Sequence, residues 1–153
     1  MKQFWLMKSE PDEVSIDDAL ASPGSCVSWT GVRNYQARNF MRDSMRVGDG
    51  VLFYHSSCPE PGIVGIAKIT GKPVPDETQF DVKSKYFDSK ATRANPRWVQ
   101  INVTIEKKIP LIDLAQLRQH PELEEMVVLR RGNRLSISPV TSTEWAFITR
   151  NLI

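Results

Sequence analysis

The run Phe4-Trp5-Leu6-Met7 is apolar at every position, so a strand through it leaves neither face for water and needs packing on both sides. A later stretch behaves differently. Val99, Ile101, Val103 and Ile105 alternate with Trp98, Gln100, Asn102 and Thr104, the pattern of a strand with one apolar face. A chain holding both is built around a covered sheet. Strands are expected over residues 3–8, 51–55, 63–69, 98–105 and 135–137, separated by turn signals such as Gly48-Asp49-Gly50.

Helix signals lie between the strands. Ser15, with Asp18 three residues on, opens a helix whose Ile16, Ala19 and Leu20 share a face, and Pro23-Gly24 closes it. Residues 34–45 give the clearest helix: Ala37, Phe40, Met41 and Met45 recur at three and four, with Arg38, Arg42 and Arg46 on another face. Short helices are expected over 111–119 and 121–129, where Pro121 suits a first helical position. A last helix is expected over 143–151, capped by Thr141 or Ser142. Residues 71–79 read as irregular and 81–95 as a solvated loop. Roughly four or five strands scattered among short helices argue for an α+β domain with a curved sheet or small barrel, against a doubly wound fold.

The 153 residues suit one domain spanning 1–153, and 41% hydrophobic against 25% charged is a globular composition. The longest apolar run falls far short of the ~20 residues of a membrane span, so no membrane partner is expected. Charges at Lys2, Lys8, Glu10 and Asp12 bracket that run, so no secretory signal is expected and the cytoplasm is the expected location. The formal charge of +2 and pI near 8.6 are too mild to announce nucleic-acid binding by themselves. Cys26 and Cys58 are far apart, and His55 and His120 are the only histidines, so neither a disulfide scaffold nor a metal site is expected.

Several residues do not serve the local pattern. Arg33 lies one turn before Ala37, on the inward side of the helix start, where it either snorkels to solvent or lines a pocket. Trp29, in the Trp29-Thr30-Gly31 loop before that helix, is either a hydrophobic staple or a stacking platform. His55 ends a strand beside Tyr54 and Ser56, a setting as suited to a hydrogen-bonded structural residue as to a catalyst. Lys8 and Ser9 point to opposite faces of a strand, which argues against a nucleophile and its base. Arg130-Arg131-Gly132-Asn133-Arg134 is a basic turn, either solvated or able to hold a phosphate.

Taken together, several ordered strings resemble the EVE domain family: Trp5-Leu6-Met7-Lys8-Ser9-Glu10-Pro11, then Trp29-Thr30-Gly31-Val32-Arg33-Asn34-Tyr35-Gln36-Ala37-Arg38-Asn39. Gly48-Asp49-Gly50 with Phe53-Tyr54-His55-Ser56, Asn95-Pro96-Arg97-Trp98, and Arg134-Leu135-Ser136 with Pro139-Val140 continue it, from about residue 3 to 150. Gly50 is a small departure, since the family more often has a bulkier residue there. The resemblance implies a PUA-like fold, a small curved mixed β-barrel flanked by short helices, related to the YTH and SRA readers of modified bases. It implies a base-binding pocket of Ser9, Trp29, Arg33, Asn34, Tyr35, Tyr54, His55, Ser56, Arg134 and Ser136, with Glu10 and Pro11 shaping the rim. Phosphates would fall to Arg38, Arg97, Arg130 and Arg131.

The leading expectation is therefore a non-catalytic module that binds modified cytosine or methylated adenine in DNA or RNA, without a cofactor. A small-molecule or nucleoside-binding domain is the alternative, mildly favoured by the low net charge. An enzyme using His55 or Glu10 as base comes last, because paired carboxylates, a metal set and a phosphate-cradling glycine loop are all missing from the sequence.

Overall fold

Strands buried on both faces form the centre of the sheet in the computed structural model, which describes residues 2–153. β1 (Phe4–Ser9) lies parallel to β3 (Gly50–His55), pairing Trp5 with Val51 and Met7 with Phe53. β4 (Gly62–Ile69) runs antiparallel to β3, and the long β6 (Val99–Asp113) antiparallel to β4. β6 also pairs with β2 (Cys26–Trp29) and with the two-residue β5 (Val74–Pro75), while β7 (Ile137–Val140) flanks β1. The order is β2-β6-β4-β3-β1-β7, with β5 off this path, giving a mixed sheet of seven strands.

Among the described residues β2 and β7 have no outer neighbour, so the expected barrel does not close and the sheet is open. Both edge strands stop after four residues. The chain turns away at Gly31, with φ +81°, on one side and into α4 (Ser142–Asn151) on the other.

Two cores follow from the alternation of side chains along the central strands. Trp5, Met7, Val51 and Phe53 face one, covered by α1 (Ile16–Ala21) and α2 (Tyr35–Asn39) through Ile16, Ala19 and Ala37. Leu6, Leu52 and Tyr54 face the other, covered by α3 (Leu114–Arg118) and α4 through Leu117 and Ile148. Gly50 sits between Phe4 and Trp145, which stack at 4.5 Å, and a Cβ there would lie 2.7 Å from the Phe4 ring. The stacked pair occupies the space a bulkier residue would need.

The expected helix over 34–45 forms as α2 followed by a π turn at Phe40–Ser44, closed by the Met45 N–H donating to the Phe40 carbonyl at 2.9 Å. Its buried Ala37, Met41 and Met45 recur every fourth residue, a spacing that drifts on a 3.6-residue helix and that the wider turn absorbs. Residues 111–113 continue β6, because Gly62 and Ile63 still pair with Asp113 and Ile112, and the expected helix shrinks to α3. The stretch 121–129 folds as two 3₁₀ turns that bury Leu123 and Val128. β7 begins at Ile137, where the expected strand ended, and its edge position tolerates Pro139.

Asn34 is the N-cap of α2, its Oδ1 accepting from the Ala37 N–H at 3.0 Å. Asn34→Ala is expected to lower unfolding free energy by about 1 kcal/mol in urea titration, and Asn34→Asp to restore most of it.

Candidate functional site

A cleft of about 380 Å³ opens where the sheet fails to close. Val27 and Trp29 of β2 line one side, and Arg134 and Ser136, leading into β7, the other. Ser9 and Ser56, at the C-terminal ends of the parallel β1 and β3, meet at its base, where the Ser56 N–H donates to the Ser9 carbonyl at 3.0 Å. Val14, Val27, Trp29 and Val32 give it an apolar wall. Ser57, also lining it, holds a φ of +55°, a left-handed conformation that costs a non-glycine residue free energy and that recurs at ligand sites.

One wall rests on a buried carboxylate. Asp76 has no exposed surface and accepts hydrogen bonds from the Gly31 N–H at 2.8 Å, from Arg33 Nη1 at 3.1 Å and from Thr78 N–H and Oγ at 2.7 and 2.5 Å. Arg33 in turn donates through Nε and Nη2 to the Tyr86 carbonyl at 3.0 and 2.7 Å. This fixes Tyr86, whose ring lies so close to Gly31 that a Cβ there would sit 2.8 Å from it. The Tyr86 hydroxyl donates to both oxygens of Glu13, which also pairs with Lys85 at 2.6 Å. Burial pulls the Glu13 carboxyl pKa upward, but Lys85 and Tyr86 outweigh it and hold it below its ordinary value.

The structure brings Ser9, Trp29, Ser56, Arg134 and Ser136 together in the cleft with Glu10. Trp29 is 8% exposed and packs edge-on to Phe53 at 5.3 Å, so most of the ring belongs to the core and little of it is open to a ligand. Arg33 stands behind the cleft wall, occupied by carbonyls and Asp76, and its side chain has no donor left for a phosphate. Asn34 is spent on its cap, and Pro11 does not line the cleft. Tyr54 points to the opposite core, where burial, with the Cys58 thiol beside it, pushes its phenol pKa up to about 12.

Tyr35, 46% exposed, stacks on Trp98 at 4.8 Å outside the cleft, with Arg38 4.7 Å from its centroid and Arg97 bonded to its hydroxyl. Arg97 also pairs with Asp88 at 3.1 Å. Arg130, Arg131 and Arg134 are exposed, and among the described residues none is in an ion pair. Half-buried Lys8 is also without an ion-pair partner, but its Nζ lies over the Tyr54 ring, 5.7 Å from the centroid, and burial lowers its pKa. Tyr86, Asp76 and Glu13 escaped sequence reading. Tyr86 lies in the stretch read as a solvated loop, which the Trp98 indole instead ties down through Asp88 at 2.8 Å. The available signal was an aromatic residue in an otherwise charged segment.

His55 Nε2 accepts the Ile16 N–H at 3.0 Å and so tethers the first residue of α1. Burial lowers its pKa below 6.5, outweighing the nearby Asp17. The neutral ring makes this bond. Its stabilisation is therefore complete above pH 6.5 and lost as pH falls through the lower folded-state value, because the unfolded chain takes up the proton first. Thermal melts across pH 6.5 are expected to show a steeper acid-side loss for the wild type than for His55→Gln, whose amide oxygen can accept the same bond without titrating. Among the described residues no group of three His, Cys, Asp or Glu is placed to hold a metal ion, and no helix is long and apolar enough to cross a membrane.

The EVE domain profile matches residues 3–151. Thymocyte nuclear protein 1 of Gallus gallus is 41% identical over 162 residues, an alignment covering 94% of this chain and 66% of that protein. A crystal structure of a Pseudomonas putida protein superposes with a TM-score of 0.91 at 47% identity, covering 96% of this chain and 97% of that one. Human THYN1 protein, crystallised in complex with DNA containing 5-methylcytosine, superposes with a TM-score of 0.90 at 39% identity, covering 97% and 96%. An open mixed sheet with short helices, matched over nearly its whole length by the profile and by these folds, makes this chain a member of the EVE domain family.

Proposed function

We propose that this EVE domain binds DNA carrying a modified base, cytosine modified at C5 being the first candidate, and holds that base in the cleft without turning it over. The carrying observation is the shared fold with human THYN1 bound to 5-methylcytosine DNA. The chemistry of the cleft supports the same reading. An apolar wall at Val27 and Val32 suits a methyl group, hydroxyls of Ser9, Ser56 and Ser136 suit a hydrogen-bonding edge, and Arg134 is a cation without an ion-pair partner among the described residues. The volume lies in the ~300–1,000 Å³ range of small-ligand sites. Binding, not catalysis, fits the commitment of His55, whose Nε2 holds α1.

Magnitudes limit the design. Extruding a paired base costs a few kcal/mol, and stacking returns ~1–3. Half-buried Tyr86 offers more accessible ring than buried Trp29. A buried methyl adds only ~0.8 kcal/mol, about a fourfold preference, so much of the affinity must come from phosphates.

Fluorescence anisotropy at two salt concentrations tests this with DNA and RNA containing cytosine, 5-methylcytosine, 5-hydroxymethylcytosine, adenine or N6-methyladenine, and with the free nucleosides. Binding is expected to be tightest for a C5-modified cytosine in DNA and to weaken with salt. Arg134→Ala is expected to reduce the log–log salt slope by about 0.7–0.9. Trp29→Ala is unsuitable as a control, because loss of a core tryptophan costs ~3–5 kcal/mol of stability. Equal affinity for free nucleoside and oligonucleotide, with no salt slope, would transfer the cleft to a small molecule.

A further inference from the structure

Two carboxylates reach the cleft, and only one is used by the protein. Glu13 is bound by Tyr86 and Lys85. Glu10 is half-buried and lines the cleft with its carboxyl within hydrogen-bond reach of that of Glu13, and among the described residues no cation pairs with it and no N–H or O–H group outside that carboxyl pair donates to it. Its backbone is fixed, the Glu10 carbonyl accepting from the Glu13 and Val14 N–H groups at 2.9 and 3.0 Å. The side chain therefore starts from a set position at the end of β1, beside Ser9.

An unpaired carboxylate is costly in a site that receives a polyanion, since it repels phosphate and loses hydration on closure. It is also an acceptor only, so it can be satisfied solely by a donor on the ligand. Among pyrimidines an exocyclic amino donor exists on one kind of base, thymine and uracil offering only the ring N3–H one position along the edge. Cytosine presents an exocyclic N4 amino group, where thymine and uracil present an oxygen that a carboxylate repels. Resting on the base-binding function proposed above, we infer that Glu10 accepts a hydrogen bond from the exocyclic amino group of the bound base and so selects amino-bearing bases over their oxo counterparts. The hydroxyls of Ser56 and Ser136 remain to donate to the ring nitrogen and carbonyl of the same edge, while Ser9 already donates to the Val14 carbonyl at 2.6 Å and is left as an acceptor.

Thymine has the methyl group of 5-methylcytosine with an oxygen in place of the amino group, so the pair separates amino recognition from methyl recognition. Oligonucleotides identical except for a central 5-methylcytosine, thymine or 5-methyl-2-pyrimidinone, which has hydrogen where the amino group was, are titrated with wild type and with Glu10→Gln. Wild type is expected to prefer 5-methylcytosine over both analogues by roughly 10–100-fold. Glu10→Gln, which keeps the shape and can face either an amino or an oxo group, is expected to bring the 5-methylcytosine-to-thymine ratio within about threefold. A wild type that does not distinguish 5-methylcytosine from the analogues, or a Glu10→Gln variant that keeps the wild-type ratio, overturns the role of Glu10 and leaves base binding standing. A wild type that binds no oligonucleotide overturns both. The pyrimidinone arm needs no variant, so a wild type indifferent to the missing amino group overturns the role of Glu10 even if Glu10→Gln fails to fold.

Discussion

The carboxylate of Asp76 is wholly buried, and the cleft depends on how its charge is met. A buried ion is tolerated only when its lone pairs are occupied, and removing one partner of such a pair typically costs ~3–5 kcal/mol. Asp76 gathers the Gly31 amide, the Arg33 guanidinium and Thr78. This brings the turn that follows β2 to the segment around residue 76. Arg33, pinned on that side, passes the constraint to the Tyr86 carbonyl. Three segments far apart in sequence thus become one wall.

Much of the frame was readable in the residues. The continuous run at Phe4-Trp5-Leu6-Met7 is a strand buried on both faces, and Ser15 with Asp18 forms the capping box expected of it. What escaped was non-local. β2 is only four residues long, too short for its Val27 and Trp29 to announce a strand, and exists because β6 offers it an edge. The helix expected at 121–129 gave way to 3₁₀ turns whose apolar residues still reach the core. At the site, proximity in sequence misled where side-chain direction decided. Tyr54 and His55 follow Phe53 on one strand, yet one faces the opposite core and the other caps a helix. Arg33 was rightly placed inward, but its partners, Asp76 and Tyr86, lie too far along the chain for any spacing rule to suggest.

Charge is distributed unevenly along the cleft. Arg134 is a cation the protein does not neutralise, while the carboxylate of Glu13 is satisfied internally. A net charge of +2 is therefore no guide to the field a ligand meets. The aromatic and guanidinium stack of Tyr35, Trp98, Arg38 and Arg97 lies outside the cleft, and Arg33 joins the two, 5.3 Å from the Trp98 centroid on one side and 5.5 Å from that of Tyr86 on the other.

The open seam of the sheet has a mechanical meaning. β2 and β7 are each held along one side only, and no backbone ladder ties them across the gap. A molecule seated in the cleft would lie against Val27 and Trp29 of β2 and against Arg134 and Ser136 ahead of β7, in place of the rung that is missing. Its binding free energy then acts as a clasp on the sheet, resisting any motion that parts the two edges.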